Sequence, residues 1–379
     1  TASFPDPPDH EEIVHWTLLA LETPKNILLL GGGAPGELNE ILKHPVKRVD
    51  TLEIDPELLK FIRPHLDSKD QDALSDPRVH VHHADGRAFL KRSKDLYDAI
   101  ILNLPEPSRA ETNRFYTQEF FEEAKEHLTP GGILGLSIPS SENYYSPQTM
   151  IFNRSIFQSL RSVFPDPFVL PGDPLILLSS DRSLPIAAYE LATRYNERNL
   201  KNVRMVPSYF PIKLDPERIR FCRELLESGT AIPKNRDLDP VSYFYLWQAW
   251  LLKYQSPSFF LEVIAALGLL FYGLKSAVKK KLLFMERPTR AIFVFGFSSI
   301  VYEILLILAF QAQHGFVYHE LGILFGAFMT GLATGSWSGG RQSKKASEFS
   351  ADRALFRLSL VQLLFGVLLD LRVDLHARK

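Results

Sequence analysis

Short runs of consecutive apolar residues alternate with amphipathic segments through the first half of the chain. Ile27–Leu30 reads as a buried strand, and Val49–Ile54, Val79–His82, Tyr97–Leu102 and Ile133–Ser137 as the strands that follow it. Between and after them, Gly36–Lys43, Pro56–Leu66, Gly86–Arg92, Thr117–Leu128 and Gln148–Val163 read as helices. Pro56 suits a first helical turn, and Pro130-Gly131-Gly132 closes the helix before it. Two β-like runs follow, Pro167–Leu170 and Leu175–Ser179, with Gly172-Asp173 as the hairpin turn between them. Strands alternating with helices at this spacing predict βαβ units and a doubly wound α/β domain over residues 1–183.

The pattern then changes. Residues 184–255 form a less regular accessory segment, with helical spacing at Ile186–Arg198 and Pro216–Ser228 and a large-apolar, aromatic run at Val241–Tyr254. Residues 256–379 carry apolar stretches at Ser258–Leu274, Ala291–Ala312, Glu320–Trp337 and Leu355–Leu371. A helix needs about 20 residues to cross a bilayer, so this region is expected to be a membrane domain of three to four helices. Gly322, Gly326, Gly331, Ala333 and Gly335 give the third stretch a surface suited to close helix packing. Glu303 lies inside the second stretch, and an ionisable residue there is a functional candidate by default.

Charge adds the side of the membrane. Lys275, Lys279, Lys280, Lys281, Arg287 and Arg290 follow the first stretch, and Arg341, Lys344, Lys345 and Arg353 the third. Basic loops belong in the cytoplasm. The α/β domain is expected there too, provided that Ser258–Leu274 does not span once but lies in the interface or pairs with Val241–Leu252 as a re-entrant hairpin. The formal net charge of −1 speaks against a nucleic-acid partner. The single cysteine, Cys222, excludes an internal disulfide framework and a cysteine-rich metal site. His80-Val-His82-His83 lacks a further nearby ligand, so no metal is expected there. The chain opens at Thr1 in polar sequence without an apolar signal segment, and further residues are expected upstream.

The chemistry concentrates at the carboxyl ends of the strands. Gly31-x-Gly33-x-x-Gly36 follows a strand and opens a helix, so backbone can approach a ligand closely. Glu53 ends the second strand, where an acid can take both ribose hydroxyls. Asp85-Gly86 ends the third, where an acid can accept from an adenine amino group. Together they predict an adenosine-type ligand. A nicotinamide dinucleotide fits less well, since it leaves Asp85 unused and requires a second mononucleotide-binding half.

At this point the chain resembles the spermidine synthases, the polyamine aminopropyltransferases. The matching stretches are Ile27-Leu-Leu-Leu-Gly-Gly-Gly33, Leu52-Glu-Ile-Asp55, Asp76-Pro-Arg-Val79, Ala84-Asp-Gly86, Tyr97-Asp-Ala-Ile-Ile101, Phe115-Tyr-Thr117, Glu119-Phe-Phe121 and Leu128-Thr-Pro-Gly-Gly132. Asn103-Leu-Pro-Glu-Pro-Ser108, Pro139-Ser-Ser-Glu-Asn143 and Ser299-Ile-Val-Tyr-Glu303 are similar to a membrane-fused branch of that family. The resemblance implies a Rossmann-like S-adenosylmethionine-dependent transferase fold. It also implies transfer of an aminopropyl group from decarboxylated S-adenosylmethionine to a polyamine such as putrescine, without a metal. It places Glu53 on the ribose, Asp85 on the adenine, and His15 and Tyr116 near the acceptor.

Two departures bear on the acceptor half. Ala34 stands where the family carries an acid after its third glycine, and Asn103 stands where the family's strand-four aspartate serves as base. Asn103 can orient an amine but cannot take its proton. Glu106, the second acid of that loop, is the expected acid at the reaction centre. Trp16 stands where an acid often follows the histidine, and Tyr144-Tyr145 is a further candidate lining for the acceptor. Two other functions fit parts of the pattern. A methyltransferase would use intact S-adenosylmethionine, and a membrane transporter or sensor would bind a nucleoside or polyamine without turnover. The expected partners are a polyamine and membrane lipid, with homo-oligomer formation left open.

Overall fold

The computed structural model describes residues 10–31, 36–142, 145–184, 186–228, 232–246, 264–265, 268–269, 296–304, 307 and 318–343. The chain divides into two compact units, Thr1–Tyr254 with His314–Phe316, and Gln255–Gln313 with Val317–Lys379.

The first unit is built on a seven-stranded sheet of order β3-β2-β1-β4-β5-β7-β6. Its strands are β1 (Asn26–Leu30), β2 (Arg48–Leu52), β3 (Val79–His82), β4 (Tyr97–Leu102), β5 (Leu128–Ile138), β6 (Phe168–Leu170) and β7 (Leu175–Ser179). β1 to β5 pair in parallel, and β7 runs antiparallel between β5 and β6. Successive strand residues point to opposite faces. Ile27, Leu29, Ala99, Ile101 and Ile133 therefore enter one core, and Leu28, Leu30, Ile100, Leu102 and Leu134 the other. Both faces are covered by helices, which is why the central strands carry the apolar runs Ile27–Leu30 and Ala99–Leu102, whereas β2 and the edge strand β3 mix in Asp50, Thr51, His80 and His82.

The first core is closed by α1 (His10–Leu19) and α2 (Glu37–Leu42). Peripheral to the sheet lie α3 (Pro56–Ile62) and α4 (Ser68–Ser75). The other face carries α5 (Gly86–Arg92), the short α6 (Ala110–Asn113), α7 (Gln118–Glu126) and α8 (Pro147–Arg161). Cap residues fix the helix starts. Asp55, Asp67, Asp85, Thr117 and Ser146 each accept a backbone N–H of the first turn, and proline opens α3 and α8.

Three local elements differ from the expectation. α1 carries no clear amphipathic signal because it is buried on nearly every side, His15 and Thr17 included. α4 is too polar to show an apolar face. β5 begins at Leu128, so Pro130-Gly131-Gly132 lies within the strand and does not end a helix loop. Leu128 pairs with Tyr97 and Ile133 with Ala99, so the register slips between them. The slip crowds Gly132: a Cβ there would sit 2.9 Å from the Thr129 carbonyl and 3.0 Å from that of Tyr97.

The accessory segment packs as part of the first unit. It contains α9 (Ala188–Glu197), α10 (Phe210–Lys213) and α11 (Pro216–Glu227). Arg194 donates to the Leu19 carbonyl, and Arg198 to those of Leu18 and Leu21, which satisfies the open end of α1. In return the Glu11 carboxylate accepts the backbone N–H groups of Val203, Arg204 and Met205. Residues 241–246 are helical, and Tyr245 and Leu246 pack against the second core. That packing draws the start of Val241–Leu252 into the α/β unit, and residues 247–252 lie outside the described residues.

In the second unit the third apolar stretch lies on a helix, Tyr318–Ser343. Among the described residues no helix is long and apolar enough to cross a membrane, so the expected transmembrane helices are not found there. Length does not limit this helix; its repeated glycines, threonines and serines dilute its hydropathy. Glu303 lies on the helical stretch 296–304 and is half-buried. Most of Ser258–Leu274 and Ala291–Ala312, and all of Leu355–Leu371, lie outside the described residues, as do the basic residues 275–290.

Candidate active site

Parallel strands that end together bring their following residues together. Gly31 follows β1, Glu53 follows β2, Asp85 lies just beyond β3, and Asn103 follows β4. The first and last of these meet directly. Asn103 donates its backbone N–H to the Leu30 carbonyl at 3.0 Å. Gly31 adopts φ +82°, and a Cβ there would stand 2.5 Å from the Asn103 carbonyl oxygen and 2.6 Å from Leu104. Only glycine lets the loop turn here so close to β4. The loop rejoins described residues at Gly36, which opens α2 at φ +63°. Gly33 and Ala34 lie outside the described residues.

Glu37, the first residue of α2, is fully buried, and the Asn103 side-chain amide donates to its carboxylate. Glu37 escaped the sequence reading because an acid in a first helical turn is ordinary. Glu106, two residues beyond Leu104, has an exposed side chain. Its backbone carbonyl accepts from Ser108 and Thr112, which rounds off the loop. Tyr116 is buried and donates to the Leu104 carbonyl at 3.3 Å. Burial, and then the negative charge of Glu106, raise the Tyr116 phenol above its ordinary value, so it remains a proton donor.

Glu53 is half-buried at the sheet edge. One carboxylate oxygen accepts the Asp55 backbone N–H at 3.0 Å, and the other has no partner among the described residues. This leaves an acceptor for a ribose hydroxyl. Asp85, the expected adenine acceptor, is engaged on both carboxylate oxygens. It caps α5 through the Ala88 N–H, and both its oxygens are held by Arg114 at 3.0 Å. Both side chains of that ion pair are buried. Phe115 crowds Gly86 beside it: a Cβ on Gly86 would meet the ring at 3.0 Å.

The loop that carries Arg114 and Tyr116 is held from the accessory segment. Asn235, fully buried, donates to Asn113 at 3.1 Å and to the Tyr116 carbonyl at 2.9 Å. Asp237 accepts from Thr117 and from Arg87, each at 2.7 Å, and Arg87 also grips Glu123. Burial opposes the charge of Arg87, but Glu123 and Asp237 together hold it above the ordinary arginine value. No sequence signal marks Asn235 or Asp237, which lie more than a hundred residues from these partners.

His15 does not join the group around Asn103. It is buried on α1, with Nδ1 2.7 Å from His44 Nε2 and Nε2 2.8 Å from Glu40. Arg198 can only donate to His44 Nδ1, at 2.9 Å, so Nε2 of His44 carries its proton and donates onward to His15. His15 then donates to Glu40. Burial lowers both imidazoles below their ordinary value, well below in the case of His44. His15 thus has both ring nitrogens engaged and links α1 to α2. Glu303 belongs to the second unit.

Among the described residues, no three His, Cys, Asp or Glu side chains are arranged to hold a metal. His82 Nε2 is instead 2.7 Å from Asp50. Tyr144 lies outside the described residues, while Tyr145 packs at the edge of the second core.

A sheet of this order with a glycine turn after its first strand defines the Rossmann-like, methyltransferase-type class of α/β proteins. Residues 7–167 match the Spermine/spermidine synthase domain family. Over 155 residues the chain is 34% identical to the polyamine aminopropyltransferase of Korarchaeum cryptofilum, covering 41% of this chain and 46% of that protein. Over 157 residues it is 35% identical to that of Sulfolobus acidocaldarius, covering 41% and 50%. The chain thus spans about half the length of the curated relatives it matches. A crystal structure of spermidine synthase in complex with the transition state analogue AdoDATO superposes with a TM-score of 0.50 at 20% identity, covering 58% of this chain and 75% of that one, and shares the fold.

Proposed function

We propose that the chain is an aminopropyltransferase, moving an aminopropyl group from decarboxylated S-adenosylmethionine to a polyamine such as putrescine. The observation that carries this reading is the family match over residues 7–167, which contains the glycine turn and Glu53 at one sheet edge. The nucleoside half fits those residues: Gly31 lets the loop turn tightly against the end of β4, and Glu53 retains an acceptor oxygen. In the reaction the amine nitrogen attacks the carbon beside the sulfonium, and the C–S bond breaks with its electron pair on sulfur. Methylthioadenosine results. The leaving group is neutral, so the protein's task is to align the reactants and remove a proton. Glu106, exposed beside the buried Tyr116, is assigned to draw the cationic acceptor into the site.

The test is to incubate the purified chain with decarboxylated or intact S-adenosylmethionine and a series of polyamines. Methylthioadenosine formed with the decarboxylated donor supports the reading. Adenosylhomocysteine from the intact donor would instead make the chain a methyltransferase, and binding without product would make it a sensor. Glu106→Gln is expected to raise the KM for putrescine about tenfold with kcat little changed, as befits a charge at the entrance.

We further propose that the second unit tethers this domain to a membrane, with the domain on the cytoplasmic side. Its support is the set of large apolar side chains that the unit exposes, among them Phe297, Ile300, Ile304, Ile323 and Met329. Flotation of the expressed chain with lipid vesicles tests the tether, and recovery wholly in the lipid-free fraction overturns it. A reporter fused upstream of residue 10 tests the side.

A further inference from the structure

We propose that Glu37 and Asn103 form the inner amine-binding pair of this site, and that Glu37 takes the proton released from the acceptor nitrogen. The proposal rests on the aminopropyl-transfer reading and names the acid within it. Asn103 cannot accept a proton, but the group it touches can. The amide nitrogen of Asn103 is the atom that faces Glu37 and donates to its carboxylate. That fixes the amide's orientation and leaves Asn103 Oδ1 as an acceptor with no partner among the described residues. A carboxylate and an amide oxygen side by side match the several N–H donors of a primary amine.

Position supports the same role. Asn103 is the residue against which the glycine turn is pressed at Gly31. A donor whose nucleoside lies on that turn extends its transferable chain past the β1–β4 junction, where the pair sits. Burial distinguishes the two candidate acids. Glu37 is shielded from water, whereas Glu106 is exposed and screened by salt. In the assigned step the nitrogen lone pair forms the new C–N bond and the C–S pair goes to sulfur. The extra proton on nitrogen passes to the Glu37 carboxylate.

The experiment uses the full chain and reads methylthioadenosine affinity, putrescine affinity and turnover separately. Glu37→Gln is expected to bind methylthioadenosine within about twofold of the parent, while turnover falls about 100-fold or more, the scale of losing a general base. Putrescine affinity is expected to fall with it. The double variant Glu37→Gln/Asn103→Asp returns the acid to the neighbouring position and is expected to recover about tenfold over Glu37→Gln. Putrescine affinity and turnover kept within about threefold in Glu37→Gln overturn the assignment while leaving the transfer reading intact. If the parent binds both ligands but forms no methylthioadenosine, the transfer reading fails, and putrescine affinity in Glu37→Gln alone decides for or against the pair. A parent that binds no putrescine overturns the pair. Should Glu37→Gln fail to fold, Asn103→Ala decides: weaker putrescine binding at unchanged methylthioadenosine affinity supports the pair, and unchanged putrescine binding overturns it.

Discussion

Replacing Arg114 by methionine isolates the energetics of the ion pair that closes on Asp85. The pair has two bonds of 3.0 Å, and side-chain exposure is only 7% for Arg114 and 4% for Asp85. Methionine keeps much of the arginine's volume but leaves the Asp85 carboxylate buried with a lost counter-charge. Breaking one side of such a pair costs about 3–5 kcal/mol. With a urea slope of about 3 kcal/mol per molar, the unfolding midpoint should fall by at least about 1 M. Adding Asp85→Asn removes the second charge while keeping a good helix cap for α5. The double variant should therefore be more stable than Arg114→Met alone, with a total loss of about 1–2 kcal/mol, because neutral replacement of a buried pair is often nearly neutral. The assay is urea unfolding of all four proteins followed by tryptophan fluorescence, with Trp16 as a buried reporter. A loss under about 1 kcal/mol in Arg114→Met, or simple additivity in the double variant, would refute the reasoning.

Three further outcomes are expected. His15 and His44 are held neutral in the fold, so below the unfolded imidazole value near 6.5 the unfolded chain binds protons first. Stability should be complete above about pH 6.5 and fall by up to about 2.7 kcal/mol per pH unit below it; urea midpoints that stay flat from pH 7 to 5.5 would count against the relay. Gly31→Ala should abolish methylthioadenosine binding in calorimetry, because the turn needs φ +82° and has no space for a Cβ. Asp237→Ala should cost about 1–3 kcal/mol in urea unfolding, since it removes one of the two carboxylates that hold the buried Arg87 guanidinium and an acceptor of the Thr117 hydroxyl.

The sheet was readable because its central parallel strands, buried on both faces, leave short apolar runs at Ile27–Leu30 and Ala99–Leu102 at regular spacing from the helices. The elements that escaped were those whose surroundings cancel the periodic signal. α1 is enclosed on nearly all sides, α4 offers the core only Ala73 and Leu74, and the early start of β5 depends on a register slip against Tyr97. The glycine turn and Glu53 were legible as a strand-end pattern. The neighbours that decide what Asp85 and His15 do were not. Arg114 is 29 residues from Asp85, and Arg198 is 154 from His44. Only the folded chain shows that Asp85 is clamped and that His15 has spent both ring nitrogens.

The family match ends at residue 167, but the structure that supports the site does not. The carbonyls at the end of α1 are satisfied by Arg194 and Arg198, and the loop with Arg114 and Tyr116 is pinned by Asn235 and Asp237. Arg87, fully buried, would face Glu123 alone without Asp237. Each contact fills a donor or acceptor that is costly to leave unmade inside a protein. Residues 188–242 therefore do more than connect two units: they complete the first one. Asn235 reaches Asn113 and the Tyr116 backbone, and Tyr116 in turn reaches the carbonyl beside Asn103. A chain of hydrogen bonds thus runs from the accessory segment to the end of β4, and any change that loosens residues 232–242 should be felt at Asn103 before it is felt at Gly31 or Glu53.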